Sequence, residues 1–401
     1  MINPSNNWRK TTSEAALELI QKHHARFGLC RIADITSLDV LGFPIYIALR
    51  PRGKTLCVSA GKGLSHTDSI VSAGMESIEI DVAERVDPSE YFNANYSMLD
   101  REQRLPFEYI PFYVNSFFDK QSVVTWMSLH GLQSNQSFYY PASLVSLDKS
   151  YHSEPMSTFP WSSNGLASGL TVEDAVLSGL YEVIERDAWS CWEHQHRLYG
   201  MPFSALVEDT IPFSSTKKLI EKIKTAGLDL IINPLETDLG LPVYRCVLLN
   251  SNDPAGAISL GFGCHHRDEI ALNRAITEAA QARAVYISGA RDDIVTHSLM
   301  KSDNLDISLF KTYFLPVRFE ATATDVEDVD AALSHLLQVF EDLGMHEPLV
   351  YIFKNSEPFS VVRVICPSLA PSGARKGLPV SLHPRYSHFQ PKLKGISALF
   401  L

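Results

Sequence analysis

Three segments of the sequence carry polar side chains at one repeated spacing, four and then three positions apart. Residues so spaced lie on one face of an α-helix, so each segment predicts a polar stripe along a helix. Shifts of 106 and then 96 positions superpose the three segments. The stripes are Ser72, Glu76 and Glu79; Ser178, Glu182 and Glu185; and Arg274, Glu278 and Gln281.

The neighbours of these stripes decide between a solvated surface and a buried site. A single Glu pair one turn apart is more typical of an exposed helix. Here the surrounding positions are mostly apolar, which predicts helices that are buried except along the stripe. The neighbours of Glu182 and Glu185 are Ala175, Val176, Leu177, Leu180, Tyr181, Val183 and Ile184.

Carboxylates held out of water repel one another and lose hydration unless cations compensate. Mg²⁺ prefers carboxylate oxygens together with phosphate oxygens and water. Three acidic stripes facing one cavity would therefore hold several Mg²⁺ ions bridged by a triphosphate. A metal-dependent hydrolase without nucleotide is the alternative that the residues themselves leave open.

Three helices must position the stripes, and we expect them over residues 65–85, 172–196 and 268–288. Capping-box patterns begin the first two, at Ser65-x-x-Asp68 and Thr171-x-x-Asp174. Glycine-containing segments precede both helices, and they predict a turn at 61–63 and a loop at 164–169. The expected unit is a loop followed by a helix, repeated three times.

The other elements predict an α+β fold with mixed sheets. Strands are expected near 41–50, 228–232 and 243–249, a helix near 215–226, short strands with long connections over 87–160, and an irregular tail from 367. No low-complexity linker divides the chain. We therefore expect one intertwined domain over 1–401, with lobes near 1–90, 91–300 and 301–401.

Composition excludes several classes of protein. The 401 residues carry 35 basic and 46 acidic side chains, and the formal charge of −11 argues against nucleic-acid binding. The six cysteines show no paired C-x-x-C spacing, which favours a reducing cytoplasm. No segment has the apolar length of a signal peptide or a membrane span, so a cytoplasmic protein without membrane contact is expected.

Several motifs together resemble the YcaO family. The central match is Ser163-Asn-Gly-Leu-Ala-Ser-Gly169 followed by Gly179-Leu-Tyr-Glu-Val-Ile-Glu-Arg-Asp-Ala188. Supporting matches are Thr36–Pro44, Gly61–Gly63, Ser72–Glu79, Arg274–Arg283 and Gly289–Asp293. The resemblance implies a YcaO-type fold that uses ATP and Mg²⁺ to phosphorylate a backbone amide oxygen, after which a nucleophile displaces phosphate.

The resemblance also implies roles for single residues. The metal ligands would be Glu76, Glu79, Glu182, Glu185 and Glu278, and the nucleotide contacts would be Lys62, Ser72, Arg186, Arg274, Gln281 and Lys10. Leu170 stands where the family usually has Asn, and Ile80 stands where Arg is frequent. No catalytic base is identified.

Three functions are compatible with the resemblance. With no peptide-recognition domain in front of residue 1, the chain is most similar to stand-alone members that install a thioamide with a TfuA-type partner and external sulfide. The alternatives are an azoline-forming cyclodehydratase acting on Cys, Ser or Thr of a ribosomal peptide, and an inactive scaffold that binds peptide or a partner. The expected partners are a peptide or protein substrate and a TfuA-like or peptide-recognition protein, and a homodimer is left open.

Other candidate residues favour structural roles. Cys264-His265-His266 is expected to serve packing and the surface, because a strand-end Cys beside loop histidines is seldom a metal or nucleophile site. His194 and His196 are expected at an exposed helix end. The run Phe138-Tyr-Tyr140 is expected in the core.

Overall fold

A computed structural model describes residues 9–199, 203–250, 258–291, 314–322, 326–371 and 383–388. Its helices are α1 Ser13–His23, α2 His66–Ala83, α3 Val172–Tyr199, α4 Ser214–Thr225, α5 Asp268–Ser288, α6 Val329–Asp342 and α7 Arg385–His388. None of these helices combines the length and apolar character that crossing a bilayer requires.

The strands form three antiparallel sheets and one parallel pair. One sheet contains β1 Arg31–Asp34, β2 Ile45–Leu49 and β3 Val58–Lys62; another contains β9 Asp229–Leu235, β10 Val243–Leu249 and β11 Ser259–Cys264. The largest contains β4 Phe92–Asn95, β5 Val123–Gly131, β6 Ser137–Pro141, β7 Leu166–Gly169, β13 Leu349–Ile352 and β14 Ser360–Ile365. β8 Phe203–Leu206 pairs in parallel with β12 Phe314–Val317.

One supersecondary unit recurs three times in this architecture. In each unit, a strand of an antiparallel sheet is followed within a few residues by a long helix: β3 by α2, β7 by α3, and β11 by α5. The register of strand pairing is equivalent as well. In each unit, the last residue of the strand before the helix lies opposite the first residue of the neighbouring strand; these last residues are Lys62, Gly169 and Cys264. The repeat seen in the sequence is therefore a strand–helix unit on a sheet.

Gly61, Gly169, Gly261 and Gly263 lie in strands, which corrects part of the expected turn at 61–63 and loop at 164–169; Gly63 follows β3, and residues 164–165 form a turn before β7. Gly61 lies in β3, and a Cβ there would stand 2.1 Å from the backbone nitrogen of Ala73 in α2. A Cβ at Gly261 or at Gly263 in β11 would likewise stand 2.2 Å or 2.1 Å from backbone atoms of α5. Glycine at these places permits a helix to pack directly on its strand, which places the stripe close to the sheet.

The first-turn caps of the two acidic helices are formed as expected. The Ser65 side chain accepts a hydrogen bond from the Asp68 amide, and Thr171 accepts one from the Asp174 amide, both at 3.1 Å. These bonds satisfy amides that would otherwise lack partners at the start of α2 and α3. The expected lobes and the single intertwined domain stay predictions, and most of the tail beyond 371 lies outside the described residues.

Candidate active site

The central turns of the three helices are buried except along one stripe of side chains. Between residues 71 and 84 of α2, the side chains that keep some exposure are Ser72, Glu76 and Glu79. Between 174 and 188 of α3 they are Ser178, Glu182 and Arg186, and between 270 and 280 of α5 they are Arg274 and Glu278. Glu185 is itself buried, at 7% exposure. The predicted burial outside the stripe is therefore confirmed for these central turns.

Hydrogen bonds and ion pairs join the stripes of different units. Arg186 Nη2 on α3 lies 3.4 Å from Glu185 Oε1 and 3.5 Å from Glu278 Oε1 on α5. The ammonium of Lys62, at the end of β3, forms an ion pair with the same Glu278. Elements from all three units therefore meet at one carboxylate.

Two further hydrogen bonds hold carboxylates against strand β7 and the turn that precedes it. Ser168 Oγ donates to Glu79 Oε1 at 2.7 Å, and the amide of Gly165 donates to Glu182 Oε2 at 3.2 Å. Neutral donors of this kind orient a carboxylate while leaving its second oxygen available. The acids of α2 and α3 consequently face the space beside β7.

Burial raises the pKa of most carboxyls in this cluster. It raises the pKa of Glu76 to about 7 and the pKa of Glu79 to about 8, with the charge of nearby Glu182 adding to both. The pKa of Glu185 is raised to about 8, first by burial and then by Glu278. The pKa of Glu182 is raised by burial too. Such groups gain strongly from a cation that replaces the lost hydration.

Glu278 differs from the other four acids. Burial opposes its ionisation, but Lys62 and Arg186 hold its pKa below the ordinary value. In the part of the chain that the structure describes, no three acidic, His or Cys side chains already converge as ligands of one ion. Carboxylate oxygens are the donors that Mg²⁺ prefers, so these residues fit such an ion. Among the described residues, Lys62 and Arg186 form ion pairs with the cluster, and the charges of Arg291 and Arg363 act on Glu76 and Glu182.

The predicted nucleotide contacts have separate locations around this cluster. Lys62 and Arg186 lie within it. Gln281 Nε2 donates to the carbonyl of Ala60 in β3 at 2.9 Å, and Arg274 Nη1 donates to the carbonyl of Cys264 at 3.2 Å. Ser72 is partly exposed one turn before Glu76.

Lys10 is placed apart from the carboxylate cluster. Its ammonium lies 2.9 Å from Asp330 and 3.6 Å from Glu173, while its backbone nitrogen donates to Asp174 at 3.2 Å. The segment that follows it lines a recess of about 330 Å³ at the N-terminal ends of α2 and α3. The lining residues are Arg9, Thr11, Thr12, Ser13, Ala16, Val71, Met75, Gly169, Leu170 and Asp174.

Several residues of the site escaped the sequence analysis. Ser168 belongs to the quoted Ser163–Gly169 motif, so its position in a strand beside Glu79 could have been suspected. Arg363 on β14 is 3% exposed, and its charge acts on Glu182. Nothing in the local sequence around Arg363 indicates this, because the contact arises from sheet pairing between distant segments.

The expected surface role of the histidines after β11 is wrong. Cys264, His265 and His266 are each at most 1% exposed. A hydrogen bond of 2.7 Å joins Tyr181 Oη to His266 Nδ1, and His266 Nε2 lies 3.2 Å from His335 Nδ1 on α6. His266 and His335 therefore link α3, the residues after β11, and α6.

Comparison with known proteins identifies the family. The family model described as YcaO cyclodehydratase, binding ATP and Mg²⁺, matches residues 60–370. The chain belongs to the YcaO family. A relative from Rhizobium leguminosarum bv. trifolii, named as an uncharacterized protein in the tfuA 3′ region, is 30% identical over 386 residues, which cover 90% of this chain and 88% of the relative.

Solved YcaO structures share the fold. The YcaO protein of Methanopyrus kandleri, bound with AMPPCP and Mg²⁺, superposes with a TM-score of 0.73 at 18% identity, covering 92% of this chain and 94% of that one. A heterocyclase in complex with substrate and cofactor superposes with a TM-score of 0.75 at 21% identity over 92% of this chain. The present chain spans about half of that heterocyclase, 53% of its length. The predicted family and the α+β YcaO fold are confirmed.

Replacing Glu79 by Gln should weaken a pH dependence of stability. Burial raises the pKa of Glu79 in the folded protein to about 8, whereas the ordinary value of 4.5 applies in the unfolded chain. Between these pH values, Glu79 therefore keeps a proton when folded and releases it on unfolding. Its contribution to the free energy of unfolding is complete below pH 4.5 and is lost as the pH rises toward about 8. Without divalent ions, Glu79→Gln should lose less thermal stability than the unsubstituted protein between about pH 5 and 8.5.

Glu221→Gln is the matched control, since Glu221 is an exposed acid on α4. When melting temperatures are measured across the same pH range, Glu221→Gln should show the same slope of melting temperature against pH as the unsubstituted protein. Identical slopes for Glu79→Gln and the unsubstituted protein would contradict the burial-induced shift.

Proposed function

We propose that this YcaO protein uses ATP and Mg²⁺ to activate a backbone amide of a peptide or protein by phosphorylating its oxygen. The observation that supports this most is that charged side chains from three equivalent strand–helix units, Lys62, Arg186 and Glu278, meet at one carboxylate. A site of repeated carboxylates with a few cations suits a bound triphosphate better than a single hydrolytic water. The description of the family as ATP- and Mg²⁺-binding agrees.

The proposed metal ligands are Glu76, Glu79, Glu182, Glu185 and Glu278. Bound Mg²⁺ would neutralise phosphate charge and polarise the transferring phosphoryl group. Ser168 and the Gly165 amide hold Glu79 and Glu182 in orientation, so these acids need little rearrangement to act as ligands.

The cations of the cluster are proposed to contact phosphate. Lys62 and Arg186 both form ion pairs with Glu278. When a metal ion binds Glu278, both cations would be released from that carboxylate and could pair with phosphate oxygens instead. The face of Phe262, 4.9 Å from the Arg186 guanidinium, limits where that side chain can move.

The nucleoside is proposed to occupy the recess at the start of α2 and α3. Val71 and Met75 of α2 and Asp174 of α3 border this recess, and Leu170 supplies part of its apolar wall. Arg274 and Gln281 would complete the nucleotide contacts from α5. Lys10 remains a proposed contact at the outer end, through exchange of its present partner Asp330.

The proposed modification is a thioamide installed with a TfuA-type partner and external sulfide. The relative named for the tfuA 3′ region supports this assignment, because it covers most of both chains. Azoline formation is the second candidate, and the cyclodehydratase description of the family favours it. An inactive scaffold is less favoured, because all three stripes are retained. A cytoplasmic location and a homodimer stay predictions.

Glu182→Gln and Glu278→Gln should each abolish peptide-dependent ATP consumption while leaving the fold intact. Each change removes a charge that metal requires but keeps the side-chain shape, so kcat should fall by about 100-fold or more. Phosphate release reports turnover, and circular dichroism reports folding. The exposed Glu221→Gln is the control and should retain activity. Full activity in both stripe variants would remove these residues from the site.

The mass of the product distinguishes the two chemistries. The protein is incubated with candidate peptide, ATP, Mg²⁺ and sulfide, with and without a TfuA-type partner. Replacement of the amide oxygen by sulfur adds about 16 Da, whereas ring closure with loss of water removes about 18 Da. We expect the gain, dependent on sulfide. A sulfide-independent loss would establish the cyclodehydratase alternative, and an unchanged peptide with no ATP consumed would favour the scaffold.

A further inference from the structure

The segment Gly261-Phe262-Gly263 lies in β11, the strand that precedes α5. A Cβ at either glycine would stand within 2.2 Å of backbone atoms of α5, so both positions face that helix. Successive residues of a strand face opposite sides of the sheet. The buried side chain of Phe262 therefore faces away from α5 and toward α3.

Two side chains of α3 contact the Phe262 ring. The Arg186 guanidinium lies 4.9 Å from the centroid of the ring. The Trp189 ring lies 5.5 Å from it, centroid to centroid, at an interplanar angle of 58°. Residues three apart share one face of a helix, so Arg186 and Trp189 both project from α3 toward β11. The same ring thus contacts a core tryptophan and the guanidinium that pairs with the acidic cluster.

Further packing fixes Trp189 against Phe262. Trp189 stacks on Trp192 with 5.2 Å between ring centroids and an interplanar angle of 16°. Arg245 on β10 lies opposite Phe262 in the strand register, and its guanidinium stands 4.8 Å from the Trp189 ring centroid. Burial lowers the pKa of Arg245 only to about 10, so it remains a cation at neutral pH, and cations pack favourably on ring faces. Close packing on several sides leaves these rings little room to move.

The contacts of Arg186 differ in how a metal ion would affect them. Its ionic partners, Glu185 at 3.4 Å and Glu278 at 3.5 Å, are both proposed magnesium ligands. A metal ion on these carboxylates would compete with the guanidinium for their oxygens. The Phe262 ring carries no charge and no atom that Mg²⁺ prefers, so its contact with Arg186 does not face that competition.

We propose that Phe262, supported by Trp189, is a positioning residue that holds the Arg186 guanidinium toward the phosphates of the bound nucleotide when metal occupies Glu185 and Glu278. An arginine already fixed on a ring loses less side-chain freedom when it pairs with phosphate, so binding is tighter. The inference rests on the proposed function, and it assigns to a buried ring a role that is carried out through Arg186.

A matched pair of substitutions tests this role. Phe262→Met removes the ring and keeps a similar apolar volume, so the core stays filled. Phe340→Met is the control, because Phe340 on α6 is a buried phenylalanine of the same hydrophobic core. Calorimetric titration with a Mg²⁺-complexed, nonhydrolysable ATP analogue should show binding about fivefold weaker in Phe262→Met. Phe340→Met should bind within about twofold of the unsubstituted protein, and melting temperatures compare the effects of both changes on the fold.

The same substitution in an Arg186→Met protein separates positioning from stability. Arg186→Met should itself bind the analogue about tenfold more weakly, through loss of a phosphate contact. Without the guanidinium the ring has nothing to orient, so adding Phe262→Met should change the affinity by less than about twofold. Phe262→Leu also lacks the ring and should reproduce both results.

Equal losses of affinity with and without Arg186 would show a structural role and overturn the proposal. Binding by Phe262→Met and Phe262→Leu that is as tight as in the unsubstituted protein would overturn it too. In both cases the unsubstituted protein still binds the analogue, so the proposed function stands. Absence of analogue binding in the unsubstituted protein would instead remove the proposed function, and the inference with it.

Discussion

Mutual repulsion among buried carboxylates is the constraint on which the rest of this structure depends. Glu76, Glu79, Glu182, Glu185 and Glu278 share one partly buried region, and burial raises the pKa of the first four. Only Glu278 is held in its ionised form by protein cations. The repulsion is relieved when the carboxyls are protonated or when metal ions bind them. The protonated and the metal-bound cluster are therefore two distinct states.

The fold imposes this arrangement by repeating one strand–helix unit. Glycine at 61, 261 and 263 permits α2 and α5 to pack directly on their strands, which fixes the position of both helices on the sheets. Side-chain caps fix where α2 and α3 begin. Contacts between units, such as the hydrogen bond from Ser168 to Glu79, then fix the position of one stripe relative to the next. The site is therefore a property of the whole fold and not of one loop.

The sequence predicts helices and stripes well because their signals are local and repeated. Helix α5 was expected and found at 268–288, and strand β10 at 243–249. The glycine at 61 was misread as a turn, because its cause is the close approach of α2, which a single segment does not reveal. His266 was expected at the surface, but its bond to Tyr181 joins positions 85 apart. Long-range pairing of that kind leaves no mark in local composition.

Proton release on nucleotide binding tests the central claim most directly. Calorimetric titrations of a Mg²⁺-complexed, nonhydrolysable ATP analogue are run near pH 7 in buffers of different ionisation enthalpy. If divalent ions neutralise the acidic stripes, binding should require Mg²⁺ and should release protons from carboxyls such as Glu79 and Glu185, whose pKa values lie at about 8. Binding that is equally tight without Mg²⁺ and releases no protons would contradict it.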